Sequence, residues 1–307
     1  METMYLTHPA CRLHDMGSWH PESPQRLDAI SDQLLASGLM PYLDDRQAPQ
    51  ASRHDVLRVH TVQYLDSLRE HTPEHGYYPI DPDTLMNPHT YEAALYAAGA
   101  GVAAVDAVMG GEARTAFCAV RPPGHHACRS QAMGFCFLNN VAIAARHAME
   151  FHGLARVAIV DFDVHHGNGT EDVFAGDERV LMCSIFQHPF FPNSGTEQPA
   201  ANMVNVPVAA YTAGAAVRTI VTDTWLPRLE AHRPELILIS AGFDAHREDD
   251  MGQMGLVEAD YAWITEQLVD VAERHCQGRI VSTLEGGYNL SALGRSVVAH
   301  IRALAKL

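Results

Sequence analysis

Four short apolar runs constrain this chain more than any other feature: TAFCAV (115–120), RVAIVD (156–161), ELILIS (235–240) and RIVST (279–283). Strands apolar at nearly every position have both faces covered, as in a parallel sheet with helices on either side. Two weaker runs, 180–185 (VLMCSI) and 204–208 (VNVPV), extend the set. Between them lie helical patterns at 90–109, 138–152, 213–231, 257–275 and 290–305. Alternating strand and helix predicts an α/β chain, a central mostly parallel sheet flanked by helices. No repeat, low-complexity segment or linker divides it, so residues 1–307 are expected to form a single domain.

The residues just beyond each run matter more than the run itself. The first leads into Arg121-Pro-Pro-Gly-His125-His126 and the second into Phe162-Asp163-Val164-His165-His166. The third leads into Ala241-Gly-Phe-Asp244 and the fourth into Leu284-Glu-Gly-Gly-Tyr288. Open α/β sheets bind ligands outside the carboxyl ends of their strands, so these residues should share one edge.

Their chemistry suits a metal-assisted reaction. In extended chain, Asp163 and His165 point the same way and could reach one ion, with Asp244 as a third ligand. Two carboxylates and an imidazole leave coordination positions open, the pattern of a catalytic site. Zinc there would acidify a water and polarise a carbonyl, although iron(II) or cobalt also fits N/O donors. Taken alone, the D-x-D-x-H run also fits a helix cap, a turn or a salt-bridged loop. Adjacent histidines divide naturally into a base and a proton holder, with Asp161 available to orient one of them. The alternative is a Pro-Gly turn with both rings in solvent. Tyr288 could donate to an oxyanion, or simply pack beside its turn.

Composition narrows the class. Lysine and arginine number 21 against 37 acidic residues, a formal charge of −16, so nucleic acid and anionic membrane are not expected partners. The 6 cysteines form no C-x-x-C pair, and the opening METMYLTHPACRLHD lacks the pattern of a signal peptide. A reduced, cytoplasmic protein is expected. The longest apolar stretch, 93–111, is rich in Ala and Gly and interrupted by Asp106, and reads as a packed core helix.

Several blocks together resemble a class II member of the histone deacetylase and acetylpolyamine amidohydrolase superfamily, as in bacterial histone deacetylase-like amidohydrolases. They are RPPGHH (121–126), GFCFLNNVAIAARHA (134–148), VDFDVHHGNGTEDVF (160–174), FFP (190–192), ISAGFDAHREDD (239–250) and LEGGYNL (284–290). HPESPQRL (20–27) is similar to the family's first loop and helix. The resemblance implies an arginase/deacetylase fold with a narrow acyl-lysine channel and hydrolysis of an N-acetyl amide. It implies Zn2+ on Asp163, His165 and Asp244, and His125 and His126 as tandem catalytic histidines, His126 the base. Asp161 would orient His125, Asn168 would stand behind His126, and Tyr288 would stabilise the transition state. Phe135 and Phe191 resemble the channel walls, with Gly134, Gly287 and the gatekeeper position Met251 also facing substrate. A structural K+ is implied on Asp161, Asp163, His165, Ser184 and Ile185.

Substrate choice is divided. Polyamine-specific eukaryotic relatives carry glutamate where this chain has Met251, which favours acyl-lysine or another neutral amide over a polyamine. The acidic net charge points the other way. The segment 72–89, with Asp81 and Asp83, is expected to cap the sheet edge, the alternative being a rim over the site. An arginase-like two-metal centre would need carboxylates where Gly167 and Asn168 stand. A binding protein that has lost catalysis is disfavoured by the complete residue set. Homo-oligomerisation is left open.

Overall fold

The computed structural model describes residues 3–307. Met1 and Glu2, at the start of the expected domain, lie outside the described residues. Eight parallel strands form the main sheet. They are β1 (Thr3–Thr7), β2 (Leu43–Gln47), β5 (Thr115–Cys118), β6 (Val157–Asp161), β7 (Val180–Gln187), β8 (Met203–Val208), β9 (Leu236–Ala241) and β10 (Ile280–Leu284). Their order is β2-β1-β5-β10-β9-β6-β7-β8. A separate antiparallel hairpin pairs β3 (Tyr78–Pro79) with β4 (Leu85–Met86).

The four strongest apolar runs are β5, β10, β9 and β6, which are contiguous in the middle of the sheet. Each is buried along its length. Because all four run the same way, their carboxyl ends meet at one edge. The sheet also has β1 and β2, which no apolar run announced. β2 is LDDRQ and mostly solvated, as suits an edge strand protected by charge; β1 is a buried TMYLT too short to stand out.

Among the described residues, ten α-helices surround the sheets: α1 (Gln25–Ala36), α2 (Arg53–Leu57), α3 (Val62–Glu70), α4 (Thr90–Gly110), α5 (Asn140–Glu150), α6 (Asn168–Phe174), α7 (Gly214–Ile220), α8 (Leu226–His232), α9 (Glu258–His275) and α10 (Leu290–Ala305). The α4 helix is long and apolar enough to cross a membrane by length and composition. In the fold it packs against β5, β10 and α5. The expected helix 213–231 is interrupted by a π-helical turn, Val221–Trp225. Pro227 lies just beyond and offers no N–H to a carbonyl four residues back. The α5 helix starts at Asn140 rather than 138 because the Asn139 side chain caps it, accepting from the Ala142 amide at 3.0 Å.

Segment 72–89 does not cap the main sheet, whose edges are β2 and β8. It folds into the β3–β4 hairpin because Asp81 accepts from the Asp83 and Thr84 amides at 3.0 and 2.7 Å, closing a tight turn.

Candidate active site

The β6 strand ends at Asp161, and the chain then bends rather than continuing extended. Asp161 Oδ1 accepts from the Asp163 amide at 3.1 Å, and Asp163 Oδ1 from the His165 amide at 2.9 Å. Asp163 and His165 therefore converge through successive side-chain-to-backbone turns, not through the strand alternation expected from sequence. Asp244, three residues beyond β9, accepts from the Val164 amide at 2.9 Å, tying the two loops together. Asp163, His165 and Asp244 each present one ligand atom within 4.8 Å of the others. His165 Nδ1 lies 3.0 Å from Asp163 Oδ1 and 3.3 Å from Asp244 Oδ2.

Two observations fit this trio to a metal ion. Asp244 Oδ2 is buried without a hydrogen-bond partner, a costly arrangement unless something else takes its charge. The loops are also kept bare: a Cβ on Gly286 would fall 2.0 Å from Asp244 Oδ2, and one on Gly242 2.0 Å from Asp163 Oδ2. Burial opposes a charge on His165, yet the carboxylates of Asp163 and Asp244 beside it push its pKa up to about 10. The cradle attracts positive charge.

The tandem histidines are held differently from one another. His125 Nδ1 lies 2.9 Å from Asp161 Oδ2, whereas His126 Nδ1 lies 2.7 Å from the amide oxygen of Asn168. The Asn168 nitrogen faces Cys128 and Met133 sulfur, at 3.5 and 3.3 Å. Burial works against protonated His125, but Asp161, Asp163 and Glu285 overrule it and hold its pKa well above the usual value. Burial pushes His126 the other way, and the neighbouring His125 and His165 push it further down. Sequence reasoning gave Glu285 no role. Its carboxylate accepts from the Gly124 and His125 amides at 2.7 and 3.1 Å, fixing the turn that carries both histidines. Burial raises its pKa to about 7.

A cavity of about 220 Å³ opens onto these groups, lined by His126, His165, Gly134, Phe135, Phe190, Phe191, Tyr288, Met251, Asp83 and Asp250. Phe191 meets His126 edge-on at 5.2 Å, and Phe135 meets Tyr288 edge-on at 6.0 Å. Phe135 has a positive φ of 68°, a strained position for a bulky residue. Gly287 was expected to face substrate but does not line the cavity; its carbonyl is turned to Arg26 Nε at 2.6 Å. Arg26 also lies 4.9 Å over the Tyr288 ring. Tyr288 and Asn289 donate their amides to Asp249 at 2.6 and 2.9 Å.

Behind this loop is a fully buried charge cluster. Arg121 grips Glu22 through two nitrogens at 2.5 and 2.7 Å, and Arg26 reaches the same carboxylate at 3.0 Å. Burial would raise the Glu22 pKa, but Arg121, His14 and Arg26 hold it well below the carboxylate range. Ser184 is the register partner of Asp161 on β7, and its hydroxyl is buried without a partner. Ile185 follows it, buried.

A parallel sheet whose central strands deliver a buried carboxylate–imidazole cradle, a group able to hold a metal ion, to an aromatic channel fits a hydrolase of the amidohydrolase kind. Residues 20–304 match the histone deacetylase domain, and the chain belongs to the histone deacetylase family. The histone deacetylase-like amidohydrolase of Pseudomonas aeruginosa is 39% identical over 277 residues, covering 88% of this chain and 73% of that protein. Type-2 histone deacetylase 2 of Dictyostelium discoideum is 34% identical over 99% of this chain, which spans only 21% of that longer protein. The crystal structure of the HDA15 HD domain superposes with a TM-score of 0.94 at 33% identity, covering 99% of this chain and 90% of the other.

Proposed function

We propose that the protein hydrolyses an N-acyl amide, an acetylated lysine or a small acylated amine, with one zinc ion held by Asp163, His165 and Asp244. The observation that carries this reading is the unpartnered Asp244 carboxylate oxygen in a three-residue cradle whose His165 lines the channel. Bound there, zinc supplies a Lewis acid and lowers the pKa of water. The chain's own groups supply the rest. His126, kept neutral and aimed by Asn168, accepts the proton of the attacking water. His125, kept protonated beside Asp161, supports the positive charge that passes to the leaving nitrogen. The Tyr288 hydroxyl donates to the carbonyl oxygen as it gains negative charge. The C–O bond forms, the C–N bond breaks, and the proton ends on the amine. Phe135 and Phe191 clasp an extended methylene chain and exclude water. K+ on Asp161, Asp163, His165, Ser184 and Ile185 is part of the same proposal, supported by the orphaned Ser184 hydroxyl. A reduced cytoplasmic setting is part of the same proposal.

A second substrate reading rests on Asp83 and Asp250, both exposed at the cavity mouth. Paired acids there would attract the distant ammonium of an acetylated polyamine. Comparing kcat/KM for acetyl-lysine peptides, acetylspermidine and acetylputrescine decides between the two. Turnover that survives complete metal removal would exclude the mechanism itself.

A further inference from the structure

Away from the channel, a second group of ligating side chains converges on the protein surface. Asp106 comes from α4, His147 from the last turn of α5, and His152 from the connection that leads into β6. His147 Nε2 lies 2.6 Å and His152 Nε2 2.7 Å from the same atom, Asp106 Oδ1. One ligand atom from each residue lies within 4.8 Å of the others. We propose that Asp106, His147 and His152 form a second metal site that takes a divalent late transition ion, foremost Zn2+.

The donor set is two imidazoles and a carboxylate, which zinc accepts with water in the fourth position. Water has access, because the Asp106 side chain is 49% exposed and that of His152 19%. His147 is the fixed member: it is buried, stacked on Phe151 at 5.0 Å and 12°. Bonds of about 2.0–2.1 Å set tetrahedral ligands about 3.3–3.4 Å apart, so the three must open by roughly 0.7 Å. His152, in a loop, and the half-exposed Asp106 can supply that.

The surroundings favour a cation. One guanidinium, Arg58, borders the group, and it stands among the carboxylates of Asp55, Glu150 and Asp106 around the His147 ring. Arg58 donates to His147 Nδ1 at 2.8 Å, which places the ring proton on Nε2, facing Asp106. A metal on Nε2 moves that proton to Nδ1, and the ring then exchanges Arg58 for Asp55, whose Oδ1 is 3.8 Å away. A carboxylate behind a ligating imidazole is the usual outer-shell partner. His152 precedes the amino end of β6, whereas Asp161 closes its carboxyl end. The ion would therefore fasten α4 to the segment feeding the central strand, at the opposite end of the sheet from the channel.

The test is a metal count on the full chain, equilibrated with micromolar Zn2+ and desalted, then Co2+ titration monitored by d–d absorption. Wild type is expected to hold two equivalents. Asp106→Asn and His152→Gln should each lose one while keeping deacetylase activity, and Asp244→Asn should keep the surface equivalent while losing the other. Zn2+ should raise the melting temperature of Asp244→Asn but not of Asp244→Asn combined with His152→Gln. The proposal is overturned if wild type holds one equivalent and Asp244→Asn none. It is equally overturned if Asp106→Asn and His152→Gln, folded by circular dichroism, retain two.

Discussion

Arg26 Nε donates to the carbonyl of Gly287 at 2.6 Å, joining α1 to the loop that carries Tyr288. The same guanidinium donates to the Glu285 carbonyl at 2.5 Å and lies over the Tyr288 ring. One buried cation thus holds the loop on both sides of Gly286. Arg26→Ala removes those bonds and leaves Glu22 with Arg121 and His14. Breaking a buried ion pair typically costs about 3–5 kcal/mol, so chemical denaturation should show a loss of that order. Activity per folded molecule should fall in kcat more than in KM, because the phenol loses its support.

Gly286→Ala tests the bare cradle. A Cβ there meets Asp244 Oδ2 at 2.0 Å and Asp163 Oδ2 at 2.7 Å, so both carboxylates must turn away. Disturbing the groups that orient metal ligands commonly costs about 10–100-fold in affinity. Chelator competition with a zinc indicator should show a loss in that range, whereas Gly110→Ala, at a helical position with open space around it, should not.

Tyr288→Phe keeps the ring between Phe135 and Arg26 and removes only the hydroxyl. Loss of one oxyanion donor is worth about 10²–10³ in kcat. Steady-state kinetics should show that drop with an unchanged melting temperature and an unchanged metal count.

Asp83→Asn and Asp250→Asn probe the mouth. Exposed ion pairs contribute about 0.2–1 kcal/mol, so each variant should raise KM for an acetylated polyamine by at most about fivefold. KM for an acetyl-lysine peptide without a distal cation should stay put. Identical effects on both substrates would count against the acids reading a distant ammonium.

Acid stability should carry the mark of buried neutral imidazoles. Burial lowers His300 from its ordinary 6.5 to about 3, between Thr265 and Ser282 hydroxyls at 2.6 and 2.8 Å, and lowers His60 to about 4. The unfolded chain takes up these protons near 6.5 and the folded chain refuses them until far lower pH. The stability they confer is complete above 6.5 and is lost as pH falls towards 3–4, by up to about 1.4 kcal/mol per pH unit per proton. Urea melts between pH 7 and 5 should show a shallower slope for His300→Gln than for wild type.

The central strands were legible because burial on both faces leaves no room for polar residues, and the residues after them were legible because strand ends carry ligands. The edge strand β2 was not, since solvent permits LDDRQ to look like a loop. Glu22, Arg26, Arg121 and Glu285 were missed for a related reason. Each is fully buried, yet a charged residue reads as exposed until its partners, up to 261 residues away, are in place. Asp83 and Asp250 became visible as a pair only when the β3–β4 hairpin and the loop after β9 were brought to the same cavity.

The position of β10 between β5 and β9 also sets a schedule for biosynthesis. In chain order it is the last strand, so the middle of the sheet is completed after its flanks have been translated. Until Ile280–Leu284 leaves the ribosome, β5 and β9 present open, apolar borders to any other nascent chain, the condition that invites mispairing and chaperone capture. The Tyr288 loop follows that strand directly, so of the candidate site residues it is the last to be made, after His125, His126, Asp163, His165 and Asp244.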